Sequence, residues 1–193
     1  GNSVTEKAVR TGRETPRHMK RLLLLRHAKA ERAQPGEKDL DRVLTNRGRS
    51  DAARLGAYLV RHGLIPDQAV VSTSARTRET WTQVAKALGN APPALFDERI
   101  YESSPQAILD VVFETEPKSA TLLVVGHNPS LQELATMLTA SGDLDARRRL
   151  KEEFPTAALA VLSFASDTWT KLHAHGGRLE HFVGPKWLET ATD

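Results

Sequence analysis

The sequence predicts an α/β fold: a three-layer αβα, doubly wound, mainly parallel sheet with an antiparallel edge strand. Three observations predict it. Short apolar runs at residues 22–25, 68–73 and 121–126 lack polar alternation, as strands buried on both faces do. Amphipathic stretches with cap and stop residues separate these runs, the alternation that builds parallel sheets. The last two runs, residues 157–164 and 169–175, are joined by a turn alone and so read as an antiparallel pair.

A chain of 193 residues with 39% hydrophobic and 26% charged side chains can bury one substantial core. Residues 20–193 are therefore expected to form a single domain. Residues 1–19 are polar, basic and without periodicity, and are expected to be a disordered arm, with Gly1 no native start and Met19 able to serve as one. The chain contains no cysteine, which excludes disulfides, thiolate nucleophiles and Cys-ligated metal. No apolar run approaches the ~18 residues of a membrane span, and no leader pattern opens the chain, so the expected place is the cytoplasm, with no membrane partner. A net charge of +3, part of it in the arm, suits an anionic small substrate better than a nucleic acid.

The first strand, residues 21–25, is four leucines behind an arginine, and it breaks into Arg26-His27-Ala28. Residues 31–44 carry Pro35, Gly36 and many charges and read as a loop over that strand's carboxyl end, where it can close on a substrate. Thr45 or Asn46 caps a helix whose apolar face is Ala52, Leu55 and Leu59, stopped at Gly63. Residues 68–73 form the second strand. A helix starts at Ala75, with Trp81, Val84, Ala85 and Leu88 on one face and Arg76 and Arg78 in its first turn. Cations there oppose the helix dipole, so an anion at the helix start would compensate; the alternative is that both arginines point into water or pair with Glu79 and Asp97.

Residues 90–104 read as a loop, and Ser104-Pro105 as the cap and first-turn proline of a helix carrying Ile108, Val111 and Val112. Residues 121–126 repeat the opening pattern, a buried strand and then Gly126-His127 at its carboxyl end, followed by a helix faced by Leu131, Leu134 and Leu138. Residues 140–156 read as a charged loop or short exposed helix, with Arg147-Arg148-Arg149 a solvated face. His173 and His175 alternate onto one face of the last strand and, with His181, could suggest a metal site, but no carboxylate stands at a telling spacing.

Two histidines at the carboxyl ends of apolar strands lie where α/β sheets bind ligands. With the order Leu25-Arg26-His27-Ala28, then residues 72–80 (STSARTRET), then Val125-Gly126-His127-Asn128-Pro129, the chain resembles the histidine phosphatase superfamily, which includes phosphoglycerate mutases, and most of all its SixA-type phosphohistidine phosphatase branch. The resemblance covers residues 20–183. It implies that His27 is a nucleophile that forms a phosphohistidine, that Arg26, Arg76 and His127 surround the phosphoryl group, and that no metal or other cofactor is needed. It also implies a general acid, for which Glu98 in Asp97-Glu98-Arg99-Ile100-Tyr101 is the candidate, with Asp97 or Glu102 as alternatives. The expected substrate is a phosphorylated protein bearing phosphohistidine. A small phosphorylated molecule is the alternative, ahead of a mutase-like enzyme and of an inactive phosphate-binding module.

Overall fold

Alternation along the first strand sets the layers. In β1 (Lys20–Arg26) Leu22 and Leu24 enter one buried cluster, while Leu23 and Leu25 enter another on the opposite face. Removing such a leucine from water stabilises the fold by about 2 kcal/mol. The computed structural model describes residues 18–188, so the arm expected over residues 1–19 lies outside the described residues but for its last two.

Against the Leu23 face pack α1 (Asn46–Arg61) and α2 (Ala75–Leu88), through Ala52, Leu55, Leu59, Trp81 and Val84. Against the Leu22 face pack α3 (Pro105–Phe113), α4 (Ser130–Leu138) and α5 (Leu144–Glu152), through Ile108, Leu131, Leu134 and Leu150. The caps foreseen for α1 and α3 form: Thr45 accepts from the amide of Gly48 and Ser104 from that of Ala107.

Seven strands lie between these layers in the order β3-β2-β4-β1-β6-β7-β5. Here β2 is Gln68–Ser72, β3 Ala94–Asp97, β4 Thr121–Gly126, β5 Thr139–Gly142, β6 Leu159–Phe164 and β7 Gly177–Val183. Strands β3, β2, β4 and β1 are mutually parallel; β6 lies between β1 and β7 and is antiparallel to both, and β5 closes the edge parallel to β7. The α/β, mainly parallel fold expected from the sequence is the one observed. A short helix, α6 (Pro185–Leu188), follows β7.

Some elements differ from the sequence reading. Residues 94–97, read as loop, form edge strand β3, whose Leu95 and Phe96 stay exposed and so give no buried pattern. The partner of β6 is β7 rather than residues 169–175. Trp169 and Leu172 are buried and mimic strand alternation, yet residues 169–171 form a 3-10 turn in which the Trp169 Nε1 donates to the Ser119 carbonyl at 2.9 Å. Gly177 opens β7, at a position where a Cβ would lie 2.8 Å from the Phe164 ring. His173 and His175 consequently sit in the turn region before β7, and only His181 is on a strand, 2.6 Å from the Tyr58 hydroxyl through Nδ1. Among the described residues no group of three His, Cys, Asp or Glu side chains could hold a metal ion, and no helix is long and apolar enough to cross a membrane.

The start of α1 is pressed against the segment that follows β1. A Cβ on Gly48 would lie 2.2 Å from the backbone oxygen of Lys29, which already accepts from the Thr45 amide at 2.9 Å. Elsewhere in a helix Gly→Ala is stabilising by about 1 kcal/mol. Here the clash dominates, and Gly48→Ala is expected to destabilise the protein by about 1–3 kcal/mol, read as a lower midpoint in urea unfolding at unchanged slope.

Candidate active site

Parallel pairing of β1 with β4 brings the two strand-end histidines together. Arg26 pairs with Gly126, and the His27 amide donates to the Gly126 carbonyl at 3.1 Å. The rings of His27 and His127, one residue beyond that pair, lie 5.4 Å apart between centroids. On the other side of β4, β2 delivers Ser72, whose Oγ is 2.7 Å from His127 Nε2. Arg76, in the first turn of α2, reaches the same place and is only 7% exposed. Four residues singled out in the sequence, Arg26, His27, Arg76 and His127, thus line one cleft of 340 Å3 together with Asp39 and Glu102.

His27 has one ring nitrogen committed. Its Nδ1 lies 2.8 Å from the Ala28 carbonyl, which can only accept, so Nδ1 carries the hydrogen and Nε2 of the neutral ring keeps its lone pair. The Ala28 peptide is itself fixed from α2, because its amide donates to Thr80 Oγ1 at 3.0 Å. Burial pushes His27 down to about 3; His127, Arg26 and Arg76 push the same way, and the Ala28 hydrogen bond opposes them. His127 is pushed down to about 4, by burial first and then by Arg76. Both rings are neutral at neutral pH.

The arginines are crowded and incompletely bonded. Arg26 donates Nη1 to the Phe154 carbonyl at 3.0 Å, and burial and the charge of Arg76 hold it below its ordinary pKa. Arg76 turns its fork onto Asp39, with Nη1 on the backbone oxygen at 2.9 Å and Nη2 on Oδ2 at 3.0 Å. The Nε groups of both arginines are buried without a hydrogen-bond partner. Buried donors of this kind are costly unless an acceptor meets them, and oxygens of an anion in the cleft would be such acceptors. Arg78, by contrast, donates to the Thr73 carbonyl at 2.9 Å and stacks on Phe96 outside the cleft.

Asp39 was not singled out by sequence reasoning, and only its place in the loop over the β1 end could have pointed to it. Its Oδ2 also accepts from the Tyr101 hydroxyl at 2.6 Å, and its Oδ1 from Arg42 Nη1 at 3.0 Å. These contacts, that of Tyr101 foremost, hold the carboxyl well below the usual range, while burial and Asp39 push Tyr101 up to about 12.

The carboxylates after β3 separate by position. Glu98, expected as the general acid, is exposed on the 3-10 turn of residues 98–100 and does not line the cleft. Asp97 is spent on Arg99, which also binds Glu114. Glu102 does line the cleft, and its backbone stands at φ 50°. The resemblance pointed to Glu98, which lies exposed on the turn of residues 98–100, whereas Glu102, one of its alternatives, lines the cleft.

The family model described as histidine phosphatase superfamily (branch 1) matches residues 22–107. An uncharacterized protein of Mycobacterium tuberculosis is 35% identical over 165 residues, covering 84% of this chain and all of its own. Among solved structures, a Nakamurella multipartitia protein given the name phosphohistidine phosphatase SixA superposes with a TM-score of 0.76 at 30% identity, over 86% of this chain and 96% of its own. A SixA counterpart from Agrobacterium tumefaciens gives a TM-score of 0.71 at 29% identity, over 86% and 98% of the two chains.

Proposed function

Since the chain belongs to the histidine phosphatase superfamily, in its SixA-type branch, we propose that it is a protein phosphohistidine phosphatase acting through a covalent phosphohistidine on His27. The superfamily and its SixA-like neighbours support phosphatase activity; the substrate and the intermediate are our own reading. One observation carries that reading: a neutral imidazole whose Nε2 is left free lines one cleft with Arg26 and Arg76, whose Nε groups are buried without a hydrogen-bond partner.

In this reading the His27 Nε2 lone pair attacks phosphorus while the bond to the leaving group breaks in line. Arg26 and Arg76 bind the equatorial oxygens. His127 Nδ1 accepts from Arg76 Nη2 at 3.4 Å, so its ring hydrogen sits on Nε2 and is donated to the Ser72 hydroxyl at 2.7 Å, and His127 helps to hold Arg76 against the phosphoryl group. Phosphorylation makes the His27 ring cationic, and the Ala28 carbonyl at Nδ1 stabilises that charge. Water next attacks the phosphohistidine, the N–P bond breaks, and orthophosphate and neutral His27 are regenerated.

Leaving groups differ in what they ask of an acid. A phosphoester releases an alkoxide that must be protonated, and we assign that role to Glu102, which lines the cleft while Asp39 is engaged by Arg42, Arg76 and Tyr101. A phosphohistidine can be protonated on its ring before cleavage. The presence of Glu102 favours a second reading, hydrolysis of small phosphomonoesters. Glu102→Gln is expected to slow ester hydrolysis by about 10²- to 10⁴-fold and phosphohistidine hydrolysis far less, whereas Glu98→Gln should leave both unchanged. The test of function is a turnover panel: a phosphohistidine protein, phosphoserine, a sugar phosphate and 3-phosphoglycerate. Fastest kcat/KM on the phosphohistidine protein is the expected result, and fastest turnover of a small ester would give the second reading its place.

A further inference from the structure

We propose that Asp39 is a specificity-determining residue: its carboxylate fills an anion subsite made by Arg42, Arg76 and Tyr101, and so excludes substrates with a second anionic group beside the transferred phosphoryl. The inference rests on the phosphatase reading above and adds a boundary to its substrate class.

The donors around Asp39 are those that recognise a carboxylate or phosphate: two guanidinium groups at 3.0 Å and a phenol at 2.6 Å. Two of the three stand on the scaffold rather than on the loop. Arg76 is buried on α2, and the Tyr101 ring rests against His127 at 5.4 Å and under the Arg76 guanidinium at 5.9 Å. The occupant, in contrast, comes from the 3-10 turn Asp39–Asp41 of the loop over the β1 end, and its side chain is 43% exposed. A receptor fixed by the fold is therefore filled by the chain's own anion, next to the phosphoryl position because Arg76 serves both.

Charge sets the consequence. Four cationic side chains, Arg26, Lys29, Arg42 and Arg76, line the cleft with the Asp39 carboxylate and Glu102, so its walls are net positive and favour a phosphoryl anion. A ligand that brings a further carboxylate or phosphate meets Asp39 and finds Arg42 and Arg76 already engaged, an unfavourable arrangement that discriminates by repulsion. A phosphorylated imidazole brings no second anion and escapes this cost. Phosphoglycerates and bisphosphates do not.

Asp39→Asn tests this, since the amide keeps an oxygen for its donors and removes the charge. The matched probes are 3-phosphoglycerate and glycerol 3-phosphate, which differ by one carboxylate. Their affinities are measured as competitive inhibition of p-nitrophenyl phosphate hydrolysis and, independently of turnover, by calorimetry. The variant should bind 3-phosphoglycerate about tenfold more tightly or better, with glycerol 3-phosphate shifted less than about threefold. Adding Arg42→Gln should cancel the gain, and Asp39→Ser should reproduce the selectivity if the amide disturbs the loop. Equal tightening of both probes would mean a general field effect and overturn the subsite, as would unchanged or weaker binding of 3-phosphoglycerate. If the wild type hydrolyses no phosphorylated compound, the phosphatase reading fails, and the calorimetric comparison still decides the role of Asp39.

Discussion

His27→Ala is expected to lower turnover of every phosphorylated substrate by at least about 10⁴-fold, because a covalent route disappears with its nucleophile while the binding groups stay. The matching observation is a phosphoryl label retained on the wild type after alkaline denaturation, where N–P bonds survive, and absent from the variant. Full labelling of His27→Ala would sink the assignment. The same ring predicts the pH profile. A free imidazole protonates near 6.5, but His27 is held down to about 3 and His127 to about 4, so the acid limb of kcat/KM should lie below pH 5. Stability moves the same way: both folded-state values are depressed, so the unfolded chain binds more protons from about pH 6.5 downward. The protein should lose stability as pH falls through that window, seen as a falling unfolding midpoint.

Where an apolar strand ends in charge, the sequence is readable. Four leucines have to be buried on two faces, which leaves Arg26 and His27 at a strand end, and the same logic applies to Gly126 and His127. That those two ends touch follows from parallel pairing in register, which strand runs alone do not specify. Arg76 was legible through a conflict, a cation in the first turn of a helix, where the dipole disfavours it. Asp39, Tyr101 and Thr80 were not legible, because each acts across the fold: Asp39 reaches Arg76 from a loop 37 positions away, and Thr80 fixes Ala28 from 52. Glu98 shows the limit of a local motif's resemblance. Three residues separate it from Glu102, and the turn at residues 98–100 leaves Glu98 exposed while Glu102 lines the cleft. Edge elements were the other loss, since β3 exposes Leu95 and Phe96 and β7 begins with a glycine.

Arg76→Ala is the second variant with a large expected effect, about 10²- to 10³-fold in kcat/KM, the scale of losing one positioned donor to a developing phosphoryl charge. Arg76→Lys should recover little of it. The ammonium is a point charge on a flexible stem and cannot replace a planar fork that bonds the Asp39 backbone and carboxylate at 2.9 and 3.0 Å while its Nε stays available. Folding and chemistry can be told apart here. Asp39 loses one partner but keeps Tyr101 and Arg42 and is partly solvated, so removing Arg76 strands no buried charge and the melting temperature should fall only modestly. The pH profile supplies a readout that mere destabilisation would not move. Arg76 is one of the charges that hold His27 and His127 down, so its removal raises both values, and the acid limb of the residual activity should shift to higher pH. An acid limb that stays in place would mean that the Arg76 charge is not felt at the imidazole, and the account of the neutral nucleophile would then rest on burial and its remaining neighbours, Arg26 and His127.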